Sequence, residues 1–279
     1  MNKYILIVFL FCFSFNSNAQ QNLDSTKNTL LQKQLFFTDS IETAIFNFAK
    51  QSPLFIDKLL PVHINRITIG HQLEQGKFVA AQGSTKTNTA LLKSDGTIEL
   101  ARIKLYGSFS YNKVFEDSTR FAHQTRNNTS TPYYFGSPAN NHYERSIYNF
   151  ETLASKNFFS EKINIGLGLK YNIADHFSNN DPRGSLKEYQ INIKGSLGYN
   201  FNKNIRLGFT YNTGYGQETV NIGYKNMAYY ESILYPTYVN YLINGYGEPN
   251  PKVNDRKYND HQNRNGFDVT FMAENTSIG

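Results

Sequence analysis

Residues Glu161–Ile173 read EKINIGLGLKYNI. The odd positions are Ile163, Ile165, Leu167, Leu169, Tyr171 and Ile173; the even positions are Lys162, Asn164, Gly166, Gly168, Lys170 and Asn172. Strict alternation of this kind is the mark of a strand with one apolar and one polar face. Length sharpens the reading. Eleven residues at about 3.3 Å each span roughly 36 Å, and tilted by about 45° they rise roughly 25 Å, the height of the apolar band of a membrane β-barrel. Strands of soluble proteins run to about 5–6 residues.

Working outward, the pattern recurs. Tyr189, Ile191, Ile193, Leu197, Tyr199 and Phe201 share one register, with Gln190, Asn192, Lys194, Ser196, Gly198 and Asn200 in the other. Ile205, Leu207, Phe209 and Tyr211 alternate with Arg206, Gly208, Thr210 and Asn212, and Ile103, Leu105, Phe109 and Tyr111 with Lys104, Tyr106, Ser108 and Ser110. Arg102, Lys104, Lys162, Lys170, Lys194 and Arg206 fall in the polar register. A Lys or Arg facing lipid at mid-membrane costs about 2–4 kcal/mol, so the apolar register is expected to face lipid and these six residues to line the interior. They would favour anionic solutes. Glu99 and Lys187 depart from the rule at strand ends, and Ile98 and Leu100 suggest a bulge. Tyr111, Tyr171, Tyr189 and Tyr211 mark one set of strand ends; Phe158, Phe159, Tyr199 and Phe201 mark the other, as two aromatic girdles would.

The expected architecture is all-β: an antiparallel transmembrane β-barrel preceded by a short helical segment. Short turns are expected at Ser94–Gly96, Lys156–Ser160 and Asn202–Asn204. Long loops are expected at Lys113–His142, Ala174–Ser185 and Lys225–Asn263. Seven strands follow, the first at 77–93. Barrels of single bacterial chains have even numbers, so an incomplete barrel is expected over 66–279.

Residues 1–19 read as a signal peptide: Lys3, an apolar run from Tyr4 to Phe15, and Ser17-Asn18-Ala19 at the cleavage site. The only cysteine, Cys12, lies inside it. Residues 20–65 are expected to form a periplasmic or plug segment, with a capped amphipathic helix over Thr38–Ala49 ended by Ser52-Pro53.

Composition agrees with this class. The chain of 279 residues has 20 Tyr, 22 Phe and no Trp. Its mean hydropathy of −0.51 does not fit a bundle of membrane helices but fits alternating strands. The net charge of +6 is spread without basic runs, so nucleic acid is not an expected partner.

The chemistry search is nearly empty. The six histidines show no metal-ligand spacing, and no cofactor motif is present. Asp175, His176 and Ser178 have the residue types of a hydrolytic triad at a loop entrance, but no enzyme activity is assigned and neither metal nor cofactor is expected. Asp181-Pro182-Arg183-Gly184 forms a turn. The tyrosines of the 224–258 region, Tyr229 and Tyr230 among them, suit either packing of the loop on itself or stacking on a ligand ring. Asp181, Arg183, Tyr229 and Tyr230 are the candidate ligand contacts at the outer surface. The glycines and serines of the polar register leave room for a pore, a plug or strand curvature.

Several stretches carry a family resemblance: Ser52-Pro53-Leu54, Ala81-Gln82-Gly83, Leu105–Tyr111, Tyr133–Pro138 and Asp181-Pro182-Arg183. Together, over Ser52 to Phe209, they resemble an uncharacterised family of outer-membrane β-barrel proteins of Bacteroidetes-type bacteria. The resemblance implies location in the cell outer membrane, contact with its lipids, and a longer chain. The expected role is passage or surface binding of a small solute or glycan, with a surface lipoprotein as a possible partner. The alternatives are a secreted β-sandwich adhesin and, behind it, a barrel hydrolase.

Overall fold

In the computed structural model, the residues described are 40–59, 63–77, 82–125, 133–202, 204–230, 234–244, 250–251 and 257–273. The expected signal peptide and half of the 20–65 segment, residues 20–39 and 60–62, lie outside them. The described elements begin with helix α1 (Ser40–Ala49), a 3-10 turn (Pro53–Phe55) and the short helix α2 (Ile56–Leu59). None of these helices is long and apolar enough to cross a membrane. The chain divides into two units, 1–45 and 46–279, and all the contacts below lie in the second.

Eight long strands form one antiparallel sheet: β1 (Ile64–Gln75), β2 (Lys86–Leu100), β3 (Ile103–Thr119), β5 (Asn141–Phe158), β6 (Ile163–Ser178), β7 (Arg183–Asn200), β8 (Ile205–Gly223) and β11 (Lys257–Ala273). They lie in the order β1-β2-β3-β5-β6-β7-β8-β11, so each strand is paired with its sequence neighbour in the meander. The short strands β4 (Tyr133–Gly136), β9 (Tyr241–Asn244) and β10 (Asn250–Pro251) form a second, small sheet. The class is therefore all-β and antiparallel. The large sheet does not close: β1 and β11 end the row.

The two faces differ as the alternation requires, and the apolar face is the bare one. Leu167 is 63% exposed, Ile69 82% and Phe271 66%; Ile165, Ile193, Leu197, Leu207 and Phe209 are exposed beside them. The opposite face is polar and covered. It carries Asn164, Ser196, Arg206 and Thr210, all buried, because the segment from Phe46 to Asp57 packs on it.

That segment also reports the curvature of the sheet. Asp57 bonds to Lys104 of β3, Asn157 of β5 and Arg206 of β8. In a flat sheet, strands four spacings apart would be about 19 Å from each other. One aspartate reaches both because the sheet curls around it.

The structure moves several boundaries. Ser94–Gly96 is not a turn but the interior of β2. The turn lies at Ala101–Arg102, whose φ angles of 51° and 61° make the two-residue connection that suits strand twist. It also explains Ile98 and Leu100: they continue the bare-face register of β2, and no bulge is needed there. The register shift falls instead between Glu116 and Thr119. Strand β1, missing from the sequence reading, carries Ile67, Ile69 and Leu73 on the bare face. The long 174–185 loop shrinks to residues 179–182, because β6 and β7 extend into it.

Candidate functional site

The covered face holds two polar sites, one near each end of the strands. The first surrounds the plug, as we call residues Ser52–Asp57. Ser52 accepts from the Leu54 amide and caps the 3-10 turn, and its Oγ bonds to Thr210 Oγ1 at 3.0 Å. Pro53 and Leu54 then press onto strand positions without side chains. A Cβ on Gly168 would lie 3.3 Å from Pro53 Cγ, and one on Gly198 would lie 2.7 Å from Leu54 Cδ1. A Cβ on Gly208 would collide with Leu54 Cδ2. The small residues of the polar register thus make room for a plug.

Charge fixes the plug at its end. Arg206, 1% exposed, donates from Nη1 and Nη2 to both carboxylate oxygens of Asp57 at 2.7 Å, and Nη1 also donates to Leu54 O at 2.6 Å. Such a two-pronged pair is the strongest form of side-chain ion pair. Lys104 Nζ donates to Asp57 O at 3.0 Å, and Lys194 Nζ to Gln51 O at 2.6 Å. Two clefts of about 650 and 600 Å³ flank Asp57; Arg102, Lys104 and Glu99 line one, and Lys58, Lys162 and Arg206 the other.

Of the six basic residues expected inside, Lys104, Lys194 and Arg206 therefore hold the plug. Arg102 and Lys162 lie in the turns 101–102 and 159–162 rather than on strands, and are exposed. Lys170 is exposed on the plug face, opposite Glu151 of β5 and Asn192 of β7.

The second site lies toward the other strand ends, where a strap of residues 122–125 crosses the same face. It is joined to β4 by His123 N to Phe135 O at 2.9 Å and to β5 by Arg145 Nη1 to Gln124 O at 3.2 Å. Arg145 is itself buried and paired with Glu116. His123 is fully buried, with Nδ1 against the Tyr143 hydroxyl. Burial, and then the Arg145 charge, push its pKa down to about 3, so the imidazole is neutral.

Beside the strap lies a row of carboxyls. Glu188 of β7 faces Glu218 of β8, which faces Asp260 of β11. Glu188 is 4% and Glu218 1% exposed. Glu218 accepts from Thr125 Oγ1 at 2.8 Å and from the Tyr258 hydroxyl at 2.6 Å. Arg264 reaches the row through two glutamines: it donates to Gln190 Oε1 and Gln262 Oε1, whose amide nitrogens donate to Glu188 and Asp260. The bare-face residues at this height are Asp175, Lys187, Thr219 and Asn259, so the row lies above the apolar band. Burial, with Glu218 alongside, pushes the Glu188 carboxyl above its ordinary range. Among the described residues no three His, Cys, Asp or Glu side chains are placed to hold a metal ion.

The loop candidates have local duties. Asp181 accepts from the Lys225 and Asn226 amides, both at 2.8 Å, and from Arg183 Nε at 3.2 Å. It ties the 179–182 turn to the loop after β8. Tyr229 stacks on Tyr238, with ring centres 3.9 Å apart, and Tyr230 lies edge-on to Tyr224. The tyrosines thus pack the loop against itself. The triad-like set is separated by the pleat. Asp175 projects to the bare face, while His176 and Ser178 are buried on the other, where Ser178 Oγ accepts from the Gly184 amide at 2.8 Å.

The sequence alone singles out neither Asp57 nor Glu188, Glu218 and Thr125, and it groups Tyr258, which lies in β11, with the loop tyrosines. The signal for the glutamates was their even position in the polar register of two strands. Strand pairing supplies the rest.

The profile of a family of unknown function (DUF6850) matches residues 53–278. The chain belongs to this family. Its matched region begins at Pro53, so it takes in most of the plug and the whole large sheet. No curated protein and no solved structure matches the chain.

Proposed function

We propose that the protein is the wall and plug of an outer-membrane β-barrel that binds or passes a small polar solute on its plug face. The observation that carries this reading is the inverted polarity of the sheet. Its aliphatic register is bare while its polar register is covered. A soluble sheet buries its apolar face against a second layer. A membrane barrel turns that face to lipid and keeps polar side chains inside. The aromatics support the same orientation. Tyr111 stacks on Tyr148 at one height, while Phe158, Phe159, Tyr199 and Phe201 lie at the other end of the strands. An adhesin sandwich would need a facing layer over Leu167 and Ile193, and among the described residues none is present.

The solute-facing surface is the stretch between plug and strap, where Asn149, Glu151, Lys170 and Asn192 are at least partly accessible. These amides and paired charges suit a hydroxyl-rich or zwitterionic solute better than a simple anion. Three of the six basic residues that would draw anions, Lys104, Lys194 and Arg206, are engaged with the plug, and Lys170 faces Glu151.

The test is a lysine at Leu167, on the bare face, beside a lysine at Asn192, on the plug face. In bilayers the first change is expected to destabilise the protein by about 2–4 kcal/mol and the second by far less. Native protein should sediment with outer membranes and need detergent for extraction. Extraction in detergent-free buffer, or equal tolerance of the two lysines, defeats the reading.

A further inference from the structure

We infer that the stretch between plug and strap binds a hydroxyl-rich solute that carries an acid group, such as a sugar acid, with Lys50 and Lys93 holding the acid and neighbouring carboxamides the hydroxyls. The inference deepens the reading above, on which it rests, by naming the class of solute.

The make-up of the surface comes first. Two adjacent rows cross all eight strands on the covered face here. One runs from Arg66 of β1 to Arg264 of β11, the next from Thr68 to Gln262. Neither row holds an apolar residue. The rows on either side do: Leu153 stands toward the plug, Leu91 and Ile147 toward the strap. A packed interior is built mainly from apolar side chains, whereas two whole polar rows suit a surface that meets a hydrophilic solute.

Charge then selects among such solutes. Asp95 is held by Arg66, which donates to both its oxygens at 3.0 and 2.8 Å. Arg264 is held by the two glutamines. Lys93, Lys170 and a single carboxylate, Glu151, remain, and none of them has a hydrogen bond or salt bridge among the described residues. Lys50, which follows helix α1, brings a third ammonium. It stands among Lys93, Asp95, Glu151 and Arg66, over the Phe46 ring at 4.7 Å from its centre. Burial, and then the Lys93 charge, hold the Lys50 ammonium below its ordinary range. Two ammonium groups that repel each other and lack a salt-bridge partner among the described residues make a place for an anion. A carboxylate or sulfate between them relieves the repulsion and gains charge-assisted hydrogen bonds.

Reach supplies the hydroxyl half. Lys93, Ser110 and Asn149 lie on successive strands of one row, so Asn149 is about 10 Å from Lys93 at the backbone. The side chains and one sugar ring bridge that gap. Asn149 Nδ2 donates to Ser110 at 3.1 Å, which leaves Oδ1 to accept from a hydroxyl. A simple anion leaves the amides unused, and a neutral sugar leaves the lysines unmatched.

Titration calorimetry of the folded full chain in detergent tests this. Glucuronate, glucose 6-sulfate and glucose 6-phosphate are the probes, and they separate carboxylate, sulfate and phosphate as the acid. Glucose, acetate and inorganic sulfate are the controls. At least one acid sugar should bind saturably, with every control weaker by about tenfold or more. K50Q and K93Q should each weaken binding by about 10- to 100-fold, the worth of a hydrogen bond to a charged group; K187Q, on the bare face, should not. If a variant does not fold, the native protein still decides: bound acid sugar should slow acetylation of Lys50 and Lys93 but not of Lys187. The inference is overturned if no acid sugar binds, if a control binds as tightly, if K50Q and K93Q bind like native protein, or if the two lysines are not shielded. Extraction without detergent defeats the membrane reading and leaves this measurement standing; absence of binding in a protein that does need detergent defeats the inference alone.

Discussion

At the scale of single residues, the covered face is governed by buried charge. Asp57 and Arg206 are separated by 149 residues in sequence and meet with side chains that are 9% and 1% exposed. Removing one member leaves the other buried without compensation, at about 3–5 kcal/mol. R206A is therefore expected to lose that much stability in denaturant titrations. Replacing both with apolar residues should recover most of it, because the desolvation of both ions is relieved as well. His123 gives a second prediction with a defined sign. Its pKa is about 3 in the fold and near 6.5 when unfolded, so the unfolded chain binds the extra proton between those values. Its contribution to stability is fully present above about pH 6.5 and is lost as pH falls toward 3, by up to about 1.4 kcal/mol per unit. The stability difference between native protein and H123N should shrink on acidification over that window. Neither site was legible as a site. Arg206 could be assigned to the polar register, but nothing in its neighbourhood points to Asp57.

At the scale of elements, the long strands were legible because alternation over ten or more residues leaves one face to each residue type. Their ends were harder. Lys113–Thr119 reads KVFEDST, polar enough for a loop, yet it continues β3 because Lys113 pairs with Glu144 at 3.0 Å and Glu116 with Arg145 across the ladder. Strand β1 is less legible although Ile67, Ile69 and Leu73 alternate with Thr68, Gly70 and Gln72, because His71 interrupts its apolar register. The turn at Ala101–Arg102 lacks the glycine or asparagine that such turns favour, so by sequence Ser94-Asp95-Gly96 is the better turn. The plug is the element whose fit depends most on missing side chains. G208V is expected to drive Leu54 off β8 and make residues 46–57 accessible to protease while the sheet remains. G195V is the matched control: a Cβ there meets nothing within 4 Å, so the same change in strand β7 should leave the plug protected.

At the scale of the whole molecule, the bare apolar face and the unpaired edges must be accounted for together. The outer edges of β1 and β11 have no ladder partner among the described residues, and both strands carry exposed apolar side chains, Ile67 and Ile69 on one, Phe267, Val269 and Phe271 on the other. Water would satisfy such edges in a soluble protein, at the risk of sheet-to-sheet association. Hydrocarbon cannot, and a lipid-exposed open edge is not tolerated in a bilayer. The membrane reading therefore demands that both edges be hydrogen-bonded in the membrane, to each other or to other strands. Amide exchange of the protein in lipid vesicles measures this directly. Residues 67–73 and 265–271 should exchange as slowly as residues 163–173 in the middle of the sheet, because every amide in the band has a backbone partner. Fast exchange confined to β1 and β11 in vesicles would mean open edges, and an open-edged sheet with an apolar face has no place in a bilayer.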